Sequence, residues 1–364
     1  MSPLSVRPEG ERRPVATSDL LTLALLPGLA PRAARILEAR GAWHEVLADP
    51  DAHTDVLGEE AHALLRSGAA LRRAEDERRR AEALGVRIVG WDEPDFPQLL
   101  KRIFDPPPVL YVRGRLEGGE GERSLAIVGS RAATPAGRTL ARAMARDLAA
   151  AGATIVSGLA RGIDTAAHQG ALDAQGRTVA VLGCGIDRVY PPENEALARA
   201  IGERGAVVSE FPLGTPPLPH HFPRRNRVIA GWSRGVLVVE AARRSGALNT
   251  AHTAVDEGRD VMAVPGHPSQ PAAEGTNQLL RDGAVLVRDA RDVAAEMIWE
   301  LPSEAPQTSS DPLLAALRKD APSTLDDLRA KSGLETPELL ARLSRLELSD
   351  EVRRLPGGLF VRHH

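Results

Sequence analysis

In the segment SEFPLGTPPLPHHFPRRNRVIAG, Phe222, Arg224, Arg225, Asn226 and Arg227 arrive almost together. One aromatic ring beside several planar guanidinium forks suits a single-stranded polynucleotide: a base stacks on Phe222 while the arginines hold neighbouring phosphates. A duplex hides those base faces. Three more loops carry parts of the same chemistry. In AIVGSRAATPAG, Gly129 permits a tight turn, Ser130 can cap or donate, and Arg131 projects a fork suited to phosphate. IVSGLARGIDTAAH repeats the arrangement with Gly158, Arg161 and Gly162 ahead of a helix that Asp164 or Thr165 could cap. VVEAARRSGALNTA sets Arg243, Arg244, Ser245 and Gly246 before another helix start. Each loop alone reads better as an ordinary strand-to-helix turn with solvated arginines. Their repetition around one sheet points to a polymer of phosphates.

Other chemistries find less support. The chain has no G-x-G-x-x-G with an acidic ribose partner and no G-x-x-x-x-G-K-[ST] loop, so neither nicotinamide nor ATP chemistry is expected, and no cofactor. GWSRG at Gly231 to Gly235 matches the G-x-S-x-G hydrolase pattern, which needs a strand before the serine and a helix after it. Here a helical RNRVIA precedes Ser233 and a strand follows, so Ser233 is not read as a nucleophile. Asp164 and His168 share one helix face at a metal-compatible spacing, but no clustered His or Cys completes a shell, so capping and packing are the expected roles. Glu210 and Glu240 each end a strand and are expected to pair with neighbouring arginines.

These loops need a scaffold, and the pattern around them supplies one. SLAIVG, ATIVSG, TVAVLG, AVVSE, GVLVVE, DVMAVPG and AVLV are short continuous apolar runs separated by helical stretches. Strands buried on both faces require helices on both sides, which predicts an α/β fold: a Rossmann-like, doubly wound, mostly parallel sheet over residues 91–300. In such sheets ligands gather at the carboxyl ends of the strands. Residues 14–90 read as a helical module resembling SAM-like or helix-hairpin-helix domains, with a helix, a Pro27-Gly28 turn and a second amphipathic helix. WDEPDFPQLLKRIFDPPPVLYVRG, dense in proline, reads as an extended connector. Residues 301–311 have linker composition. Residues 312–364 read as two short helices around Ser332-Gly333 and a Pro356-Gly357-Gly358 hairpin, resembling a winged helix, whose second helix offers only Arg342 and Arg345 as basic side chains.

With 364 residues, more than one domain is expected at roughly one per 150. A net charge of −3 argues against a protein coated in positive charge, so any nucleic-acid site must be local. The one cysteine, Cys184, forms no internal disulfide, and neither an export signal nor a membrane span is evident, so a cytoplasmic location and no membrane contact are expected.

The order of long motifs, AIVGSRAATPAG, SGLARGIDTAAHQGAL, TVAVLGCGIDRVYPPENEAL, VVSEFPLGTPP, HFPRRNRVIAGWSRGVLVVEAARRSGALNTA and GRDVMAVPG, resembles the DNA-processing protein A (DprA/Smf) family over about Pro94 to Val293. The resemblance implies a non-enzymatic protein that binds incoming single-stranded DNA in natural transformation, protects it and loads the RecA recombinase despite single-strand binding protein. It implies DNA contacts at Arg131, Arg161, Phe222, Arg224, Asn226 and Arg227, and a homodimer through the end of the Rossmann domain, here around Leu280 and Leu286. Relatives often carry lysine where this chain has Pro192 and Pro219; Arg188, Arg225 and the helical or winged modules are the expected compensation. The same Rossmann subgroup includes lysine-decarboxylase-like nucleotide phosphoribohydrolases, which carry P-G-G-x-G-T-x-x-E. SGALNTAHTAVDEG lacks that double glycine and the glutamate. A protein-interaction scaffold is the third reading, and it predicts no salt-sensitive DNA binding.

Overall fold

The computed structural model describes residues 15–28, 43–119, 121–301, 312–317, 322–348, 352–355 and 357–362. They fall into two compact units, one ending at residue 301 and one beginning at residue 302. No helix among the described residues is long and apolar enough to cross a membrane.

The amino-terminal residues form helices α1 (Thr17–Ala24), α2 (Trp43–Ala48), α3 (Glu59–Arg66) and α4 (Ala69–Ala83). The second helix expected after Pro27-Gly28 falls on residues 29–42, outside the described residues. Helix α4 buries Ala70, Ala74, Glu77 and Ala81, the spacing of one helix face. Glu77 then ties that face to the sheet: its carboxylate accepts from the Tyr111 hydroxyl at 3.0 Å and the Leu213 amide at 2.6 Å. Leu20, Val46 and Ala74 belong to the same continuous core as Val156, Val181 and Val208, so the helices share their core with the sheet.

The stretch expected to be an extended connector is instead part of the sheet. It holds the short helix α5 (Gln98–Lys101) and the strand β2 (Val109–Gly114), which pairs antiparallel with β1 (Arg87–Gly90) on one side. Its prolines stop at residue 108, ahead of the first residue that must donate to the ladder, which frees VLYV to form a buried strand.

All seven apolar runs are strands: β3 (Ser124–Val128), β4 (Thr154–Ser157), β5 (Thr178–Leu182), β6 (Ala206–Ser209), β7 (Gly235–Val238), β8 (Asp260–Ala263) and β9 (Val285–Leu286). The sheet order is β1-β2-β6-β5-β4-β3-β7-β8-β9, parallel from β6 to β9. The helices that follow are α6 (Pro135–Ala150), α7 (Ile163–Asp173), α8 (Glu195–Arg204), α9 (His221–Trp232), α10 (Gly246–Asp256), α11 (Glu274–Arg281) and α12 (Ala290–Met297). Alternate residues of β3 feed two separate cores, Ala126 and Val128 in one, Leu125 and Ile127 in the other, as a sheet covered on both faces requires. The fold is the expected Rossmann-like one. From β3 the chain winds outward to β6, then returns to lay β7 on the other side of β3, so the order reverses between these two strands.

In the second unit, α13 (Pro312–Ala316), α14 (Leu325–Ser332), α15 (Thr336–Leu348) and the hairpin β10 (Val352–Leu355) and β11 (Leu359–Arg362) form a winged helix. Thr324 and Asp327 close a reciprocal capping box on α14, and Leu313, Leu328, Leu339, Leu343, Val352 and Phe360 fill the core. Residues 302–311 and Pro356 lie outside the described residues.

Helix α7 carries His168 at 0% exposure. Thr178 Oγ1 donates to the Ile155 carbonyl, so in the 2.7 Å contact between Thr178 Oγ1 and His168 Nδ1 the imidazole N–H must donate, and Nε2 is left without a hydrogen-bond partner. Burial, reinforced by the nearby Arg225 charge, pulls the His168 pKa from 6.5 down to about 3. Between those values the unfolded chain binds a proton that the folded chain does not, so stability falls as pH drops below about 6.5, by up to ~1.4 kcal/mol per pH unit. Urea unfolding of wild type at pH 7 and pH 5 is expected to show this loss, and His168→Gln is expected to reduce it by about 1–2 kcal/mol. An equal fall in both proteins would contradict the assignment.

Candidate nucleic-acid interface

The carboxyl ends of β3, β4 and β5 and the first turn of α9 converge on one cleft. Arg131 and Arg161 reach it from the first two loops, Tyr190 and Pro191 from the third, and Phe222 and Arg225 from α9. The Phe222 ring rests on Gly183, where an added Cβ would stand 2.9 Å from the ring, so only glycine lets the ring close onto the end of β5. The Arg131 guanidinium lies 5.2 Å above the ring centroid, and the Tyr190 ring meets Phe222 at 5.7 Å and 47°.

Beneath the cleft Arg225 is only 4% exposed. Its guanidinium donates to the Gly158 carbonyl at 2.7 Å, to the Val181 carbonyl and to Asn226 Oδ1 at 3.2 Å, joining the ends of β4 and β5. Burial pulls its pKa down to about 10, opposed by Asp164, so it remains charged at neutral pH. Asp164 accepts from the amides of Gly158 at 3.1 Å and Ala160 at 3.3 Å. Burial pushes its carboxyl upward, against the opposing pull of Arg225 and those amides.

Backbone donors at two of the expected phosphate turns are thus engaged by the protein's own carboxylates. Asp164 takes those of the Gly158 turn. At the Gly129 turn, Ser130 N donates to the Glu240 carbonyl at 2.7 Å, and the Glu240 carboxylate accepts from Thr134 N at 2.9 Å and from the Thr134 hydroxyl. Thr134 in turn caps α6 by accepting from Gly137 N at 3.0 Å. Glu240 therefore caps a helix instead of pairing with an arginine as expected. What faces outward at these turns is side-chain charge: Arg131 and Arg161 are exposed, Arg161 in an ion pair with Glu193.

The arginines of α9 divide. Arg224 is half-exposed, lies 5.3 Å over the Phe211 ring and pairs with Glu210 at 3.1 Å. Arg227 has a 13% exposed side chain held by Glu210 and by Asp105 at 3.2 Å. The ion pairing expected of Glu210 is present. Asn226 is buried and reaches the Gly246 carbonyl at 3.4 Å. Arg188 and Arg243 are both exposed; Arg188 shares the loop of Tyr190, and Arg243 stands on the loop after β7, apart from the cleft's lining. Ser245 caps α10. Ser233 is fully buried after α9 and ahead of β7, donating to the Ile229 carbonyl at 3.2 Å, the reverse of a hydrolase elbow. Leu286 on β9 is 50% exposed and Leu280 packs partly against the core. Sequence reasoning did not single out Tyr190; its position in a loop at the carboxyl end of a strand was the available signal.

Residues 87–298 match the family DNA recombination-mediator protein A, and residues 300–358 match the DprA winged helix domain. This chain belongs to the DprA family. It is 40% identical over 285 residues to Protein Smf of Escherichia coli, covering 74% of this chain and 76% of that one. The X-ray structure of DprA from Streptococcus pneumoniae superposes with a TM-score of 0.67 at 34% identity, covering 79% of this chain and all of the other. DprA from Helicobacter pylori, whose structure describes a single-stranded DNA binding mode, gives a TM-score of 0.54 at 27% identity over 59% of this chain and 97% of the other. The expected family resemblance, winged helix included, holds.

Within this DprA-family site, Arg224 and Arg227 share Glu210, whose side chain is 2% exposed. Removing Arg227 leaves a buried carboxylate with one solvent-facing partner and is expected to cost about 3 kcal/mol. Arg224→Ala keeps the buried pair and is expected to cost under about 1 kcal/mol. Urea denaturation of the two variants measures the difference, and equal costs would refute this division of roles.

Proposed function

We propose that this chain binds single-stranded DNA in the cleft above β3, β4 and β5, shields it, and hands it to the RecA recombinase in the presence of single-strand binding protein. The observation that carries this reading is the Phe222 ring, with Arg131 over it and Arg161 beside it, in one cleft. A stacked base and its flanking phosphates need that combination, and a duplex offers no base face to it. The ssDNA binding described for the Helicobacter pylori relative supports the same assignment. In this reading Arg131, Arg161 and Phe222 meet the strand in the cleft, Arg188, Arg224 and Arg243 meet it beyond the cleft's lining, and Gly129, Ser130, Gly158, Arg225, Asn226 and Arg227 shape the surface beneath it. The protein is a cytoplasmic binding protein and not an enzyme: the carboxylates nearest the strand ends, Asp164, Glu210 and Glu240, are engaged in structural contacts. A homodimer through β9, with Leu286 at its exposed edge and Leu280 behind it, would place two such clefts on one assembly.

Fluorescence anisotropy with labelled poly-dT and a matching duplex across a salt series tests this. Wild type is expected to prefer the single strand, and the Arg131→Ala, Arg161→Ala double variant to bind about tenfold more weakly, with a log–log salt slope smaller by about 1.4. Unchanged binding by the double variant would move the site elsewhere in the chain. No binding by wild type would favour a protein-interaction scaffold.

A further inference from the structure

The chain has two tyrosines, and they are used differently. Tyr111 is 1% exposed and spends its hydroxyl on Glu77. Tyr190 is 37% exposed in the lining of the cleft, and its hydroxyl has no hydrogen bond among the described residues. Its ring meets Phe222 at 5.7 Å and 47°. Phe222 itself is less available: Gly183 backs the ring, Arg131 covers it at 5.2 Å, and Arg225 stands at 5.9 Å. Of the two rings Tyr190 is the more exposed, and Arg161 lies in the same cleft. Leaving an aromatic face in water forgoes burial that the core would have rewarded, and here that face adjoins the cleft's cations.

We infer that Tyr190 is a stacking platform for a nucleobase, held at its angle by Phe222. This rests on the single-strand reading above and adds a contact residue to it. A base enters over Tyr190, its 5′ or 3′ phosphate meets Arg161, and Arg131 lifts from Phe222 only if a second base follows. Because the hydroxyl does no positioning, Tyr190→Phe keeps the platform and Tyr190→Ala removes it.

The test is a two-by-two titration of wild type and Tyr190→Ala against oligo-dT and an abasic oligomer of the same length, with Tyr190→Phe alongside. Expected is about a tenfold loss of oligo-dT affinity in Tyr190→Ala, near wild-type binding by Tyr190→Phe, and no difference between wild type and Tyr190→Ala on the abasic strand. A 2-aminopurine oligomer is expected to be quenched by wild type and Tyr190→Phe but not by Tyr190→Ala. Undiminished oligo-dT binding by Tyr190→Ala, or an equal loss on the abasic strand, overturns the stacking role while leaving the single-strand reading intact. Failure of wild type to bind oligo-dT overturns both.

Discussion

A single buried guanidinium organises this site. Arg225 carries its charge at 4% exposure, an arrangement that costs several kcal/mol unless its donors find acceptors. The acceptors it finds are the carbonyls at the ends of β4 and β5 and the side chain of Asn226, so meeting its own needs fixes the spacing of two strand ends. Its field opposes the burial that pushes the Asp164 carboxyl upward and helps hold His168 neutral. Phe222, three residues earlier on the same helix, is aimed by the helix that Arg225 anchors. The cleft is therefore built from below, by a charge that solvent barely reaches.

A second constraint decides what kind of recognition the cleft can perform. Rossmann-like sheets commonly offer helix amino termini to a ligand's phosphate. Here Glu240, with Thr134, fills that role at α6, and Asp164 does so at the turn before α7. With those donors engaged internally, arginine side chains on flexible stems and aromatic rings are what the cleft's lining presents. Such groups follow a chain of phosphates and bases without demanding one sequence, whereas a rigid amide cradle fits one phosphate in one pose.

Most of the architecture was legible from residue patterns. Seven apolar runs read as strands are the seven strands β3 to β9: each is short and bounded by turn residues, and β3 to β7 are buried throughout. The two strands that escaped notice, β1 and β2, are the antiparallel extension; proline density masked β2, although its prolines stop just before the ladder begins. The residue types of the site were legible and their depth was not. RRNR reads as three equivalent arginines, yet helical spacing sends Arg224 toward solvent, Arg225 under the cleft and Arg227 against Glu210. Glu240 misled for a related reason: arginines follow it in sequence, while its carboxylate turns to Thr134 across the switch between β3 and β7. Tyr190 was passed over because a lone aromatic in a proline-containing loop has no periodicity to flag it.

In the proposed arrangement single-stranded DNA lies on the Rossmann-like unit over Phe222 and its arginines. Photo-crosslinking of the full chain to a 5-iodo-deoxyuridine oligomer, followed by mass-spectrometric mapping of the adducts, tests this most directly. Adducts are expected on peptides containing Phe222 or Tyr190, suppressed by excess unlabelled poly-dT and not by excess duplex. Adducts confined to residues 312–364, or to the helices before β1, would contradict it.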